Sequence, residues 1–461
     1  MTYLHALEAE NHNRLPCQRV SSHLGWQGNN GDGGFLWGRT HLAADDWTQT
    51  PVSFHGLDTG DEQIADGYRA EGSLDAWLDA IRPLSRYPRV LLALYAAFVP
   101  PLLHILGTPN FVVDWANRTS TGKTTALRVA GSVWGNPDER SPESALGTWD
   151  GTRVWLERAS AVLSGIPLLL DDTKRAKNEK IVADLLYTVA GGRGRGRGNK
   201  TSLARTRTWR TVMLSTGETR ATSFTQDGGT RMRCLEVSGA PFGKEDDETR
   251  QLVDRLNLQI LANYGHAGPA FVRRLIKERE NWPTLQVRYR AGVEYYAPKN
   301  GRLAQYMAAI HVAADVVHQL FDLPWCHGEK LAALWIAIAP EAEDAAGEVR
   351  AIRDVMSWAH ANRDSFYSLT SDHQRYAPSG GWAGRWDQKA DWEFVAFYPH
   401  LLEERLRDHE YQHEAILTGW KERGWLETDA DRKRSTKRMR VGVERPHLVV
   451  IRRGAIEEAD A

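Results

Sequence analysis

Eight consecutive residues, Asn117-Arg118-Thr119-Ser120-Thr121-Gly122-Lys123-Thr124, have the composition of a phosphate-binding loop that lacks only its first glycine. In such a loop, successive backbone N–H groups and the positive end of the following helix surround a phosphate. Lys123 would reach the β- and γ-phosphates of a nucleoside triphosphate, and the Thr124 hydroxyl would ligate Mg²⁺. Asn117, Thr119, Ser120, Thr121, Gly122 and Thr125 complete the candidate nucleotide cradle. Asparagine is the non-glycine residue that most readily takes a left-handed backbone, which makes its place at the first glycine tolerable. A second acid-bearing run, Gly-Ile-Pro-Leu-Leu-Leu-Asp-Asp at 165–172, follows the loop at βαβ spacing. It reads as a buried parallel strand that delivers Asp171 and Asp172 to its C-terminal edge, where open α/β sheets bind ligands. Asp171 would hold Mg²⁺ directly or through water, and Asp172 would orient or deprotonate the attacking water.

These groups need a frame. Residues 111–116 form a short β-rich run before the loop, and 123–133 read as a helix after it, which separates the motif from a chance Gly-Lys-Thr-Thr. Further apolar runs at 166–170, 211–215 and 232–237 alternate with helical stretches, so residues 108–240 predict a mainly parallel α/β core. Residues 1–107 predict a small α+β region with a helical lead-in, 241–367 a helical lid, and 368–389 a linker. In 390–461, two helices precede strand-like 438–443 and 447–452, the order of a winged-helix-like DNA-binding domain.

The chain has 461 residues, enough for two or three domains with their own cores. Its 58 Lys and Arg balance 59 Asp and Glu, so contact with nucleic acid has to come from local patches. One patch is 191–210, with Arg193, Arg195, Arg197, Lys200, Arg205, Arg207 and Arg210 and no acid. Clustered arginines suit phosphate backbones, although a solvated loop has the same composition. Trp209 could stack on a base or enter the core. A second patch, at the expected wing, comprises Arg432, Lys433, Arg434, Lys437, Arg438, Arg440 and Arg445.

Cys17, Cys234 and Cys326 are isolated and odd in number, so they imply neither a disulfide framework nor a Cys-rich metal site, which fits a reducing cytoplasm. Residues 1–13 do not read as a signal peptide. Residues 90–106 lack Asp, Glu, Lys and Arg but contain Pro100, Pro101 and His104, and they read as buried core helix rather than membrane span. His409-Glu410-Tyr411-Gln412-His413 matches a zinc-protease motif, yet it lies in a charged helix with no third ligand at suitable spacing.

Taken in order, Gly-Lys-Thr-Thr-Ala-Leu (122–127), Thr-Trp-Asp-Gly-Thr (148–152), Pro-Leu-Leu-Leu-Asp-Asp (167–172), the Arg-Gly loop, Leu-Ser-Thr-Gly-Glu (214–218) and Gly-Thr-Arg-Met-Arg (229–233) resemble a bacterial family long catalogued as a domain of unknown function. That family includes helicase-like AAA+ ATPases of phages and mobile elements, among them the minichromosome-maintenance-like replicative helicases of staphylococcal cassette chromosomes. The resemblance spans about 15–365 and implies a P-loop NTPase core, a hexameric homo-oligomeric ring and ATP-Mg²⁺ bound between subunits. By position it implies hydrolytic roles for Lys123, Asp171 and Asp172, with Ser215 or Thr216 as a first sensor. Arg233 becomes the arginine acting in trans, with Arg302 a weaker second sensor. The insertion before the acid strand would be 146–162, and 191–210 would be a hairpin that grips DNA. Asn117 for glycine and Asp172 for the commoner glutamate depart from the family pattern and bear on turnover more than on binding. The expected function is an ATP-dependent DNA helicase or translocase acting on single-stranded or forked DNA, with a separate primase or initiator as a further expected partner. The alternative is an ATP-switched DNA-binding initiator or defence component that does not unwind.

Overall fold

The computed structural model describes residues 2–11, 14, 18–118, 121–196, 206–225, 228–244, 246–344, 347–369, 378–387, 389–409, 411, 413–428 and 435–460. They fall into two compact units, one of Met1–Thr225 with Met232–Pro340 and one of Gln226–Arg231 with Glu341–Ala461.

The first unit is organised by a five-stranded, wholly parallel sheet. Its spatial order is Cys234–Ser238, Phe111–Ala116, Val212–Gly217, Leu168–Asp171 and Leu146–Thr148. The apolar runs at 111–116, 166–170, 211–215 and 232–237 all become strands, because a parallel strand covered on both faces needs apolar residues at nearly every position. Val212–Gly217 is buried along its whole length, polar residues included. Each fully buried Leu or Val here contributes about 1.5–3 kcal/mol.

Helix Lys123–Ser132 packs on the 212–217 and 168–171 strands and on helix Pro88–Ala97. The apolar 90–106 segment is two helices, Pro88–Ala97 and Val99–Leu106, bent by 61°. Apart from half-buried His104, its side chains lie inside the protein. Among the described residues no single helix is long and apolar enough to cross a membrane.

The Trp-rich N-terminal segment forms a three-stranded antiparallel sheet and a two-stranded parallel pair. Indole N–H groups fasten it to the core: Trp37 donates to Trp134 O at 2.7 Å and Trp26 to Pro101 O at 2.9 Å. From Asp247 to Phe321 the unit is helical, and the buried helix Gly301–Phe321 packs against Trp282–Tyr296 and the two helices of 88–106.

In the second unit, Phe366–Tyr367, Gly384–Arg385, Phe394–Phe397, His447–Arg452 and Leu426–Glu427 form one sheet, and Lys437–Arg438 pairs with His447–Arg452. Helices Pro399–Asp408 and His413–Glu422 precede the hairpin strands, as the winged-helix order requires. The boundary differs from the sequence expectation of a lid to 367, a linker over 368–389 and a domain from 390. Helix Gly347–Ala361 belongs to this unit's core with Trp386, Trp420 and Val449, and two short strands from the expected lid end and linker join its sheet.

Candidate nucleotide site and nucleic-acid surfaces

Parallel topology places the C-terminal ends of the strands on one edge. There the 111–116 strand runs into the candidate phosphate loop, whose Asn117 N–H donates to Gly217 O at 3.1 Å and so ties the loop to the neighbouring strand. Gly122 caps helix Lys123–Ser132 with φ 82°, and a Cβ there would lie 2.6 Å from the Phe242 ring, so glycine is required on both grounds. Asn117 is accommodated differently from the sequence expectation. Among the described non-glycine residues, left-handed backbone occurs at Asp172 and Asp322, not at Asn117. The Asn117 side chain instead accepts the N–H of its neighbour Arg118 at 2.8 Å.

Lys123 Nζ donates to the carbonyls of Asn117 and Arg118 at 2.7 and 2.6 Å, spanning the mouth of the loop. Burial lowers its pKa, and the carboxylates of Glu218, Asp171 and Asp172 oppose that shift. Thr124 Oγ1 lies 3.2 and 3.1 Å from the two oxygens of Asp171. Two ligands at right angles on an ion with Mg–O bonds near 2.1 Å stand about 3 Å apart, so the hydroxyl and carboxylate fit a magnesium-bound nucleotide.

Ser215 and Thr216, left as alternatives by the sequence, face opposite sides of their strand. Thr216 Oγ1 donates to Asp171 at 2.5 Å and accepts the Asp172 N–H at 3.0 Å. Ser215 Oγ instead accepts the Trp149 indole N–H at 3.2 Å. Burial raises the pKa of Asp171, against the hydrogen bonds from Thr216 and Thr124. Asp172 is held at φ 61° and its side chain accepts Lys174 N–H at 3.2 Å. That backbone region costs a non-glycine residue on the order of 1–3 kcal/mol and is concentrated at functional sites. Thr125 is buried beside Asn257, and Thr121 Oγ1 donates to Arg118 O at 3.1 Å. Thr119 and Ser120 lie outside the described residues.

Two acids near this edge escaped the sequence reading. Glu218 pairs with Lys174 at 2.8 Å and is the first of the carboxylates acting on Lys123. Asp114, in the middle of the 111–116 strand, is wholly buried and accepts Ala221 N–H at 2.8 Å. Burial, with repulsion from its cross-strand neighbour Glu236, pushes its pKa up to about 7. An acid within an apolar run is the signal that could have found it.

At the opposite edge, Arg233 precedes the Cys234–Ser238 strand, and its carbonyl accepts Val112 N–H at 2.9 Å. It is therefore about six strand residues, on the order of 20 Å along the strands, from its own chain's 117–124 loop. Arg302 is exposed on the first turn of helix Gly301–Phe321.

The two described arms of the basic segment, 191–196 and 206–210, pair with each other at this same edge. Arg193 bridges Thr208 in antiparallel fashion, Gly194 N–H donates to Arg207 O at 2.9 Å, and Trp209 N–H donates to Gly192 O at 3.0 Å. Arg193 and Arg195 are exposed and Arg207 half-buried. Arg195 lies 3.6 Å from Asp184. Trp209 belongs to the core: it is 3% exposed and donates its indole N–H to Val189 O, which leaves no face for a base. The hairpin base lines a cleft of about 1080 Å³ with His104, Arg158 and Arg210. Arg197, Lys200 and Arg205 lie outside the described residues, as do Arg432, Lys433 and Arg434. Lys437 pairs with Glu427 at 2.5 Å, and exposed Arg438 donates to Arg445 O at 3.2 Å. His409 and His413 do not share a helix, because one helix ends at Asp408 and the next begins at His413, which removes the geometry of a zinc-protease site.

Fold and surfaces together define the class: a mixed α/β protein built on a parallel sheet and joined to a C-terminal helix-turn-helix domain. Residues 1–209 match the domain of unknown function DUF927, and residues 347–452 match the Cch helix turn helix domain. The fold is similar to that of the solved SCCmec type IV Cch, an active helicase, with a TM-score of 0.77 and 18% identity, over 100% of this chain and 84% of that one. No curated protein matches the chain. The resemblance to the helicase-like proteins of staphylococcal cassette chromosomes, expected from the ordered motifs, holds in both the N-terminal and the C-terminal parts of the chain.

Proposed function

We propose that the protein is an ATP-dependent DNA helicase or translocase, a ring-forming AAA+ motor of a phage or mobile-element replication system that hydrolyses ATP between subunits in the cytoplasm. The observation that carries this reading is the convergence of Lys123, Thr124, Asp171 and Thr216 on one sheet edge while Arg233 occupies the other. Lys123 would neutralise charge on the β- and γ-phosphates, and Thr124 with Asp171 would hold Mg²⁺, which supplies charge stabilisation for phosphoryl transfer. Asp172 would orient the attacking water, and Thr216, bonded to both acids' segments, would fix their geometry. Arg233 is too far from its own loop to act in cis, so a second subunit has to receive it. The exposed hairpin arginines and the helix-turn-helix domain give the DNA contacts, and similarity in fold to an active helicase supports unwinding as the output.

The test is ATP hydrolysis with and without single-stranded DNA, together with strand displacement on a fork, for wild type, Lys123→Ala and Arg233→Ala. Both variants are expected to lose DNA-stimulated hydrolysis, and mixing wild-type with Arg233→Ala chains should lower activity more than in proportion. A Lys123→Ala protein that hydrolyses like wild type would overturn the reading. DNA-stimulated hydrolysis without strand displacement would instead favour the ATP-switched initiator.

A further inference from the structure

Helix Gly301–Phe321 carries His311 and Asp315 one turn apart, so both lie on one face. At its end Asp322 takes a left-handed conformation, φ 47°, which terminates the helix before His327 opens the next one, His327–Asp344. The reversal returns His327 to the same face, with Nε2 2.7 Å from Asp315 Oδ1. His311 Nε2 stands 3.9 Å from that oxygen, and the three donor atoms all lie within 4.8 Å of one another. Among the described residues this is the group of three His, Cys, Asp or Glu side chains that comes so close.

A hydrogen bond accounts for His327 and Asp315 but not for the second imidazole aimed at the same carboxylate. The outer contacts are those of a ligand set. His311 Nδ1 bonds the Tyr296 hydroxyl at 2.7 Å, which fixes the ring and leaves Nε2 for the cluster. His318, one turn beyond Asp315, lies against the His327 ring with centroids 4.2 Å apart, and its Nε2 bonds the Tyr95 hydroxyl at 2.8 Å. Trp325 Nε1 donates to that same hydroxyl at 2.8 Å, which anchors the turn. The His311, Asp315 and His327 side chains are 29, 28 and 17% exposed, sheltered yet open to an ion from solvent.

We propose that His311, Asp315 and His327 bind one divalent transition-metal ion of the zinc class, which clips the two helices together. Imidazole and carboxylate donors suit zinc, cobalt or nickel rather than calcium or magnesium. A tetrahedral ion with bonds near 2.1 Å places its donors about 3.4 Å apart, so the widest pair closes by only on the order of 1 Å. The fourth position is open to water or to the thiol of Cys326, which is free, exposed and adjacent to His327. The site is separate from the Mg²⁺ ligands proposed for the phosphate loop and shares no residue with them.

The test uses the full chain without a histidine tag, stripped with chelator, dialysed and titrated with Co²⁺. One equivalent should give the intense visible bands of a tetrahedral cobalt centre, and Zn²⁺ should abolish them. Asp315→Asn and His327→Gln, each checked by circular dichroism and by binding of a fluorescent ATP analogue, should lose the bands and at least tenfold in affinity. The double substitution His409→Gln with His413→Gln should leave both unchanged. Absence of tetrahedral cobalt bands in the wild-type protein overturns the proposal without reference to any variant. So do full retention of binding in Asp315→Asn, and loss of binding in the His409/His413 protein instead.

Discussion

Asp114→Asn isolates the buried acid beneath the phosphate loop. The carboxyl is fully buried, in register with Glu236, and its pKa is pushed up from 3.8 to about 7 by burial first and by Glu236 among the charges. That rise is roughly three units, or about 4 kcal/mol at about 1.36 kcal/mol per unit, by which folding disfavours the ionised form. Because the folded pKa lies above the unfolded one, the contribution to stability is complete below about pH 4. It declines between about pH 4 and pH 7 and is absent above. Asparagine keeps an acceptor for the Ala221 N–H but has no charge to lose, and the cost of its amide is the same at every pH. Between pH 5 and pH 8 the wild type should therefore lose about 3 kcal/mol relative to the variant, on the order of a hundredfold in the opening equilibrium of the sheet. Hydrogen-exchange mass spectrometry of a peptide covering 111–116 reads that equilibrium, and comparing the two proteins at the same pH cancels the intrinsic exchange rate. A wild-type-to-variant protection ratio that is equal at pH 5 and pH 8 would mean that Asp114 does not titrate in this window and would refute the reasoning.

Two variants address the proposed motor directly. Thr216→Val keeps the shape but removes the hydroxyl shared by Asp171 and the Asp172 N–H, at a local cost of about 1–3 kcal/mol. It should lower kcat on the order of tenfold to a hundredfold with nucleotide Kd within about threefold, and a loss found wholly in Kd would show that Thr216 serves the loop rather than the acids. Reversing charge at Arg193, Arg195 and Arg207 together should weaken single-stranded DNA binding and reduce the slope of log K against log salt by about 2, since each phosphate contact contributes about 0.7. An unchanged slope in fluorescence-anisotropy titrations would place the DNA elsewhere.

How much of this was legible in the sequence depended on how long each feature is. The core strands were legible because a fully buried parallel strand has to be apolar along its length, and the loop and acid pair follow strands of that kind. The boundary of the C-terminal unit was not, since Phe366–Tyr367 and Gly384–Arg385 are strands of two residues, too short to show any period. The cluster of His311, Asp315 and His327 was missed because its donors are spread over two helices and joined by a turn whose direction depends on Asp322. Asp114 was missed because a single acid inside an apolar run carries no motif, although its burial makes it the most displaced carboxylate near the loop.

The position of Arg233 shows what topology adds to a motif list. In a parallel sheet every strand starts at one edge and finishes at the other. Asn117, Asp172 and Glu218 follow strand ends and collect at the second edge, whereas Arg233 precedes a strand and has to sit at the first. The separation does not depend on any side-chain rotamer. It follows from the strands being parallel, which the alternation of strands and helices had already indicated, so an arginine at this point in the chain is kept away from its own chain's 117–124 loop. A role for Arg233 in hydrolysis therefore entails a second copy of the chain, and the mixing experiment tests that entailment apart from any assumption about ring size.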